Sequence, residues 1–308
     1  MTKLFTPAII RWRITSSAWL VPGATDSDSR RSEVAGFARL DYPQPSKSTI
    51  VLKPFLEPDP LPGTAYEVEL SLFVPCLNEE KRVVSTLRTI QGAMLELGCS
   101  YEVLVVDDGS TDRTSAVVEE FSRENPDMRI TLHRNPHNLG LARSFVDTSF
   151  RGRGRYYRLI CGDDVEPKEA IVTICQNLGK ADIIVPYHPR LPGKSGFRRV
   201  VSKTYTLLVN LISGYSLRYY NGCALYRRFH VMRWAPYNYG FGFQADIITR
   251  LLDEGATYLE VPVNVSHLTK TEGGSPLNFR NFISTGHTLF EILLRRIRRE
   301  VFESTDER

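Results

Sequence analysis

From about residue 66 onward, the pattern of hydrophobic and polar positions switches repeatedly between one typical of strands and one typical of helices. Short runs rich in Val, Ile, Leu and Tyr are separated by stretches in which apolar residues recur every three or four positions. This alternation is typical of βα units, in which strands form a mostly parallel central sheet flanked by helices. The predicted strands are 68–74, 101–106, 129–133, 156–161 and 182–185, and the predicted helices between them are 83–95, 110–124, 139–150 and 167–178.

The first helix has recognisable end signals. Asn78 precedes its apolar pattern and is predicted to cap its start, and Gly98 is predicted to end it. Beyond residue 187 we expect the same domain to continue, with helices near 197–212 and 244–254. Further strands are predicted at 224–226 and 258–261.

The two ends of the chain differ from this domain. Eight of the 18 prolines lie in the first 62 residues, where no sustained periodicity is present. We therefore divide the chain into an irregular Pro-rich N-terminal extension (1–64), an α/β domain (65–275) and a basic amphipathic C-terminal helix (276–308).

In the C-terminal helix the apolar residues fall within an arc of roughly 140°, and four arginines lie off it. Those arginines are Arg295, Arg296, Arg298 and Arg299. Two hypotheses follow. The apolar stripe covers the core of the protein, or the helix lies on a membrane surface with its arginines at anionic head groups.

Composition narrows the class of protein. The chain is 42% hydrophobic and 24% charged, as in soluble globular proteins, and no apolar run approaches the roughly 18 residues of a spanning helix. We expect a cytoplasmic protein that does not cross a membrane by itself. The net charge of +4 does not favour nucleic-acid binding, and five widely spaced cysteines favour reduced, buried thiols over disulfides or zinc.

Candidate chemistry lies just after the strands, because ligands of open α/β sheets bind outside the carboxyl ends of the strands. Polar segments follow four predicted strands, at 75–80, 107–112, 135–140 and 162–164. Two pairs of adjacent carboxylates among them require a cation or hydrogen-bond donors nearby. A divalent metal holding a diphosphate satisfies this need, with Asp163 and Asp164 as hard oxygen ligands for Mg²⁺ or Mn²⁺.

Other nucleotide-binding signatures are missing. The sequence has no G-x-x-x-x-G-K-[ST] and no G-x-G-x-x-G after a strand, which counts against P-loop NTPases and dinucleotide enzymes.

Four ordered segments, VPCLNEE (74–80), VVDDGSTD (105–112), NLGLAR (138–143) and GDD (162–164), resemble the motifs of family 2 glycosyltransferases. Within that family the chain is most similar to the dolichyl-phosphate mannosyltransferase-like branch. The resemblance implies a GT-A (Rossmann-like) fold and an inverting transfer from a nucleoside diphosphate sugar with Mg²⁺ or Mn²⁺. It also implies a polyprenyl phosphate acceptor, with peripheral contact at the inner face of a membrane.

Residue roles follow from the resemblance. Pro75, Leu77 and Glu79 match the segment that lines the nucleoside pocket, and Asp107, with Asp108 beside it, matches the acid that accepts from the base. Asp163 and Asp164 stand in the metal motif, where the resemblance to a Gly-Asp-Asp subgroup leaves open which carboxylate binds metal directly.

The resemblance extends to three further residues. Lys270 stands where relatives commonly carry arginine, in a stretch that closes over the donor diphosphate, and Arg143 of the NLGLAR segment is hypothesised to stabilise the same diphosphate. Asp246 lies near the catalytic carboxylate of members that act on hydroxyl acceptors, where it would be a general base. A phosphate acceptor is already anionic and needs no base, and Asp246 would then be a positioning residue.

Three alternatives remain open from the sequence alone. The acceptor is a hydroxyl of a saccharide or small molecule, the protein is a nucleotidyltransferase, or it is a non-catalytic sugar-nucleotide-binding relative. The segment 75–80 lacks the Gly-rich basic loop that nucleotidyltransferases need, and Gly162 and Lys270 are the departures that favour a non-catalytic relative.

Overall fold

The computed structural model describes residues 66–189, 196–234, 240, 242–263 and 279–302. The predicted extension 1–64 lies outside these residues. The strands are β1 (Val68–Cys76), β2 (Tyr101–Asp107), β3 (Ile130–Arg134), β4 (Gly154–Leu159), β5 (Ile183–Tyr187), β6 (Leu225–Arg227) and β7 (Tyr258–Pro262). The helices are α1 (Val83–Leu97), α2 (Thr114–Glu124), α3 (Leu141–Ser149), α4 (Lys168–Cys175), α5 (Gly196–Ser213), α6 (Arg228–Met232), α7 (Phe243–Asp253) and α8 (Phe279–Phe302), with a short 3₁₀ turn at Pro126–Met128.

All seven strands form one mixed sheet in the order β3-β2-β1-β4-β6-β5-β7. β6 is antiparallel to β4 and β5, and every other pairing is parallel. Because the chain leaves β1 towards β2 and β3 and later returns to place β4 on the other side of β1, the order reverses between β1 and β4. Open α/β sheets bind ligands at such a switch point.

Both faces of the sheet are covered, as expected for strands that are apolar on both sides. One face packs against α1, α2 and α4, with Leu72, Leu87 and Ile171 in its core. The opposite face packs against α3, α5, α7 and α8, and its core includes Phe73, Phe145 and Ile247. The predicted alternation of strands and helices is therefore confirmed.

The predicted cap of the first helix is wrong. Helix α1 begins at Val83, and no side chain caps its first turn. Asn78 instead has a left-handed backbone (φ 58°), and its Oδ1 accepts hydrogen bonds from the backbone N–H and hydroxyl of Thr111. Gly98 does end the helix, in the left-handed conformation that glycine adopts most easily, with its N–H bonded to Met94 O at 2.9 Å.

Helix α8 faces the protein with its arginines rather than with its apolar stripe. Arg295 binds Asp246 and Asp253, Arg299 binds Asp253, and Arg296 donates to the carbonyl of Leu211 at the end of α5. Most of the apolar stripe is exposed: Ile283, Phe290, Leu293, Leu294, Ile297 and Val301. Of the stripe residues whose side chains the structure describes, only Leu289 is partly buried and packs against the core, and the buried Ile292 lies off the stripe. The hypothesis that the apolar stripe covers the core is wrong, and so is the assignment of these three arginines to lipid head groups.

Candidate donor-binding site

Four loops meet at the carboxyl edge of the sheet around the switch point. We number them as loop 1 (77–82, after β1), loop 2 (108–113, after β2), loop 3 (135–140, after β3) and loop 4 (160–167, after β4). They contain five of the ten predicted site residues, and two more, Pro75 and Asp107, lie at the ends of β1 and β2 beside them. The parallel pairing of β1 with β2 and β4 is what brings segments 30 to 80 positions apart to one edge.

Loops 1 and 2 are joined by hydrogen bonds between backbone and side chains. Asp108 N donates to Cys76 O at 2.8 Å, and Asn78 N donates to Ser110 Oγ at 2.9 Å. Asp112 accepts from Glu80 N at 3.1 Å. These bonds hold residues 110–113 out of the helix predicted there, and α2 begins only at Thr114.

Asp107 and Asp108 are both buried, and both bind neighbouring loops. Asp107 accepts from Ser110 N at 2.7 Å and from the Ser115 hydroxyl. Asp108 accepts from Leu139 N at 2.9 Å and Gly140 N at 3.0 Å, which fixes loop 3 against loop 2. The pair therefore holds loop 2, loop 3 and the start of α2 together, and the predicted contact between Asp107 and a base stays a prediction.

Loop 4 carries the predicted metal motif. Gly162 N donates to Pro75 O at 3.2 Å, so the loop continues the sheet edge beside β1. Asp164 has a left-handed backbone (φ 56°), and its N–H donates to Thr86 Oγ1 of α1 at 3.0 Å. A non-glycine residue in this region is uncommon, which indicates that surrounding contacts hold the turn.

Asp163 is partly buried and Asp164 is exposed. Burial raises the pKa of the Asp163 carboxyl, and neighbouring Asp164 adds to the rise, while a backbone hydrogen bond from Val165 and the charge of Arg82 oppose it. Asp163 Oδ1 is shielded from solvent and has no hydrogen-bond partner among the residues that the structure describes.

A hard divalent cation fits this arrangement. A buried carboxylate oxygen without a donor is costly, and coordination would satisfy it. Among the described residues, no three His, Cys, Asp or Glu side chains form a cluster that could hold a metal by themselves. Mg²⁺ commonly binds proteins through one or two carboxylates, with phosphate and water completing its shell, so such a cluster is not required.

Loop 1 places its predicted residues beside loop 4. Leu77 is exposed, Pro75 is partly buried, and Glu79 pairs with Arg82 at 2.7 Å. Burial raises the pKa of Glu79 against the effect of Arg82, and Asp163 is among the charges that raise it further. Arg82 was missed by the sequence analysis, although its spacing of three from Glu79 at a helix start was available as a signal.

The remaining predicted residues lie elsewhere or outside the described part. Arg143 is exposed on α3 and pairs with Asp147 at 3.4 Å. Lys270 lies outside the described residues. Asp246 is buried in the first turn of α7, where Arg295 binds one carboxylate oxygen and Trp234 Nε1 lies 3.3 Å from the other. This ion-paired setting favours the positioning role over the general base.

Comparisons with known proteins agree with the fold and with the motifs. Residues 71–234, more than half of the chain, match the family model described as Glycosyl transferase family 2. Fold and switch-point loops together define a GT-A type of α/β protein. The chain belongs to glycosyl transferase family 2.

Curated relatives carry the names of polyprenyl-phosphate sugar transferases. A dodecaprenyl-phosphate galacturonate synthase from Rhizobium johnstonii is 30% identical over 174 residues, which are 54% of this chain and 50% of the relative. An undecaprenyl-phosphate 4-deoxy-4-formamido-L-arabinose transferase from Shewanella sediminis is 25% identical over 226 residues, 73% of this chain and 65% of the relative. The chain spans about half the length of the first of these relatives. Their names agree with the predicted branch of the family.

Solved structures share the fold at low sequence identity. A mannosyltransferase from Pyrobaculum calidifontis, in complex with GDP-Man and Mn²⁺, aligns with a TM-score of 0.55 at 17% identity over 76% of this chain and 66% of its own. Glucosyl-3-phosphoglycerate synthase from Mycobacterium tuberculosis, in complex with Mn²⁺, UDP and phosphoglyceric acid, aligns with a TM-score of 0.57 at 16% identity. That alignment covers 75% of this chain and 80% of the synthase.

Proposed function

We propose that the protein is a metal-dependent, inverting glycosyltransferase that moves a sugar from a nucleoside diphosphate sugar onto a polyprenyl phosphate. The observation that carries this proposal is Asp163 Oδ1 at the switch point of a GT-A sheet, a buried carboxylate oxygen that no donor in the described ranges reaches. Family membership and the names of the relatives support the reaction class.

In this proposal loops 1 and 2 border the nucleoside and loop 4 holds the metal. Asp163 and Asp164 would hold Mg²⁺ or Mn²⁺, which supplies positive charge where the leaving diphosphate becomes more negative. Arg143 and Lys270 are the proposed cationic partners of the same diphosphate.

The acceptor oxygen of a polyprenyl phosphate is already anionic, so its attack on the anomeric carbon needs no general base. The buried pairing of Asp246 with Arg295 is consistent with such an acceptor. In this proposal Asp246 positions α7 against α8, and Asp164 contributes to catalysis through the metal.

Contact with a membrane surface completes the proposal. Helix α8, with its exposed apolar side chains, contacts α5, whose Val200, Leu207 and Leu211 are also exposed. We call these two sets the α5–α8 surface. No helix in the described ranges is long and apolar enough to span a bilayer.

A bilayer surface is the occupant that the chemistry of this patch favours. Apolar side chains on two helices enter the acyl boundary, and the exposed Arg199 and Lys203 of α5 meet anionic head groups. This would bring the site to a lipid-linked acceptor from the cytoplasmic side.

The direct test is transfer of radiolabelled sugar. Nucleoside diphosphate sugars are offered with Mn²⁺ or with EDTA, and with a short-chain polyprenyl phosphate, a free saccharide or no acceptor. The proposal predicts label in the organic phase only with metal and polyprenyl phosphate. Label transferred to the saccharide would instead support the hydroxyl-acceptor alternative. Binding of donors without transfer or hydrolysis would support a non-catalytic relative.

A further inference from the structure

Three side chains around one cavity have buried polar atoms without a hydrogen-bond partner in the described part of the chain. These atoms are Arg158 Nε and Nη1, Asp163 Oδ1 and Asn221 Oδ1. All three residues line a cavity bounded by the end of β4, helix α4, the end of β5 and the segment before β6. Buried polar groups in native proteins are almost always hydrogen-bonded, so this cluster requires an occupant.

Arg158 is the least expected member of the cluster. It lies near the carboxyl end of β4 with none of its surface exposed to solvent, on the same sheet face as Tyr156. Its Nη2 binds Glu166, two residues after Asp164 in loop 4. This ion pair explains why the charge is tolerated in the core, but it uses only one of the three guanidinium nitrogens.

The unpartnered atoms have complementary chemistry. The proposed metal would satisfy Asp163 Oδ1, so the atoms left for another occupant are the donors of Arg158 and the acceptor oxygen of Asn221. A hydroxyl group both donates and accepts, so the hydroxyls of a sugar would satisfy both together. A lone anion would satisfy Arg158 but would face the unpaired oxygen of Asn221.

The cavity adjoins the proposed metal site. Asp163 belongs both to the cavity wall and to the proposed metal site, and a metal-bound diphosphate has its sugar attached at the adjacent phosphate. A sugar leaving that phosphate therefore lies next to Asp163, within reach of groups that share its cavity.

We propose that Arg158, together with Asn221, binds oxygen atoms of the transferred sugar and determines which donor sugar is accepted. This inference rests on the proposed function, because it needs a nucleoside diphosphate sugar in the site. It adds a specificity residue buried in a strand, outside the loops where the family motifs lie.

The experiment separates the sugar from the nucleotide. Binding of a nucleoside diphosphate and of the matching nucleoside diphosphate sugar, each with Mn²⁺ and without acceptor, is measured by calorimetry on the wild type and on Arg158→Lys. Lysine keeps a cation opposite Glu166 but lacks the second and third donor nitrogens of arginine. We expect about a 10- to 100-fold loss of affinity for the sugar-bearing donor and no change for the diphosphate alone.

Two further variants distinguish a loss of sugar binding from a general disruption of the core. Asn221→Ala removes the acceptor on the other wall and is expected to weaken only the sugar-bearing donor. Glu166→Gln removes the ion pair but leaves Arg158 in place, and is expected to weaken the sugar-bearing donor less than Arg158→Lys does. If Arg158→Lys does not fold, Asn221→Ala with a set of monodeoxy donors carries the test, and the penalty for one missing hydroxyl should disappear in that variant.

The outcomes are distinct. If Arg158→Lys lowers the affinity for the diphosphate and for its sugar conjugate equally, or lowers neither, the inference is overturned. Ordered water would then be the occupant of the cavity. Failure of the wild type to bind any nucleoside diphosphate would instead overturn the proposed function.

Discussion

The backbone of Gly162 packs directly against the thiol of Cys76. A Cβ atom added at Gly162 would lie 2.6 Å from Cys76 Sγ and 3.0 Å from Pro75 O, closer than real Cβ contacts allow. Loop 4 therefore has no room for a side chain at the position where most family members, by resemblance, carry the first acid of Asp-x-Asp. This close approach of β1 is a physical reason for glycine at that position, and it leaves Asp163 and Asp164 as the carboxylates of the motif.

A substitution at Gly162 tests this packing. Gly162→Ala is expected to lower the free energy of unfolding by about 1 to 3 kcal/mol, because the new methyl group overpacks the contact with Cys76. The measurement is urea unfolding followed by circular dichroism. Gly286→Ala is the matched control, since a Cβ there meets nothing within 4 Å and alanine favours the helix by up to about 1 kcal/mol.

A double-mutant cycle on Gly162 and Cys76 tests whether their contact causes the loss of stability. Cys76→Ala removes the sulfur atom and should recover part of the loss when combined with Gly162→Ala, which a double-mutant cycle measures. Wild-type stability in Gly162→Ala, or strict additivity of the two changes, would contradict the account of the Gly-Asp-Asp motif.

The Asp163 carboxylate should make both transfer activity and metal-dependent nucleotide binding depend on its ionisation. Asp163→Asn and Asp164→Ala are each expected to lower transfer by about 10²- to 10³-fold or more, because a charge on the leaving diphosphate loses its partner. Since metal binds the ionised carboxylate and burial raises the Asp163 pKa, metal-dependent nucleotide affinity should fall as pH decreases through that raised pKa. Titrations of Mn²⁺ and nucleotide across pH measure this.

The stability of the metal-free protein should depend on pH in the opposite direction to metal binding. The pKa of Asp163 is higher in the folded than in the unfolded chain, so the unfolded state loses its proton first as pH rises. The stability of the metal-free protein therefore falls over that interval, and Asp163→Asn should be the more stable protein at neutral pH. Loss of stability in Asp163→Asn, with unchanged metal binding, would exclude Asp163 as the metal ligand.

The ion pair between Asp246 and Arg295 predicts a stability effect rather than a catalytic one. Asp246→Asn should cost about 1.5 to 3 kcal/mol of unfolding free energy, because largely buried Arg295 loses one of its two carboxylate partners and keeps only Asp253. Asp147→Asn is the control: it removes the exposed partner of Arg143 and should cost less than about 0.5 kcal/mol. Transfer to a phosphate acceptor should change less than about tenfold in Asp246→Asn. A fall beyond about 100-fold with unchanged stability would restore Asp246 as the general base.

The α5–α8 surface predicts vesicle binding that depends on particular apolar residues. Phe290→Asp and Ile297→Asp should each reduce co-sedimentation with vesicles containing anionic lipid, because a carboxylate enters the apolar face and adds repulsion. Leu95→Asp is the matched control, since Leu95 is an exposed leucine on α1, outside that surface. Equal loss in all three variants, or no binding by the wild type, would contradict a membrane-facing α8.

Much of the fold could be predicted from the sequence because the first 120 residues of the domain are locally consistent. The alternation of strand and helix hydrophobic periods, the turn residues, and the helix-ending Gly98 predict β1 to β5 and their helices in the observed order. The short strand β6 was expected, but its antiparallel direction depends on pairings with β4 and β5 that have no local signature.

The orientation of α8 could not be predicted for a similar reason. A helical pattern shows which residues share a face but not which face meets the protein. The partners that decide this, Asp246 and Asp253, lie more than 40 positions away from Arg295. Arg158 was missed because a charged residue inside a strand pattern indicates an exposed position unless its buried partner, here Glu166, is known.

The central claim is that the loops at the switch point bind a nucleoside diphosphate through a divalent metal. A thermal-shift panel of UDP, GDP, CDP and dTDP, each with Mn²⁺, Mg²⁺ or EDTA, tests it most directly, because a ligand that binds the folded state raises its stability. The account predicts stabilisation by one of these nucleotides with metal, lost with EDTA and in Asp163→Asn. Stabilisation by none of them, or stabilisation that persists with EDTA and in Asp163→Asn, would contradict it.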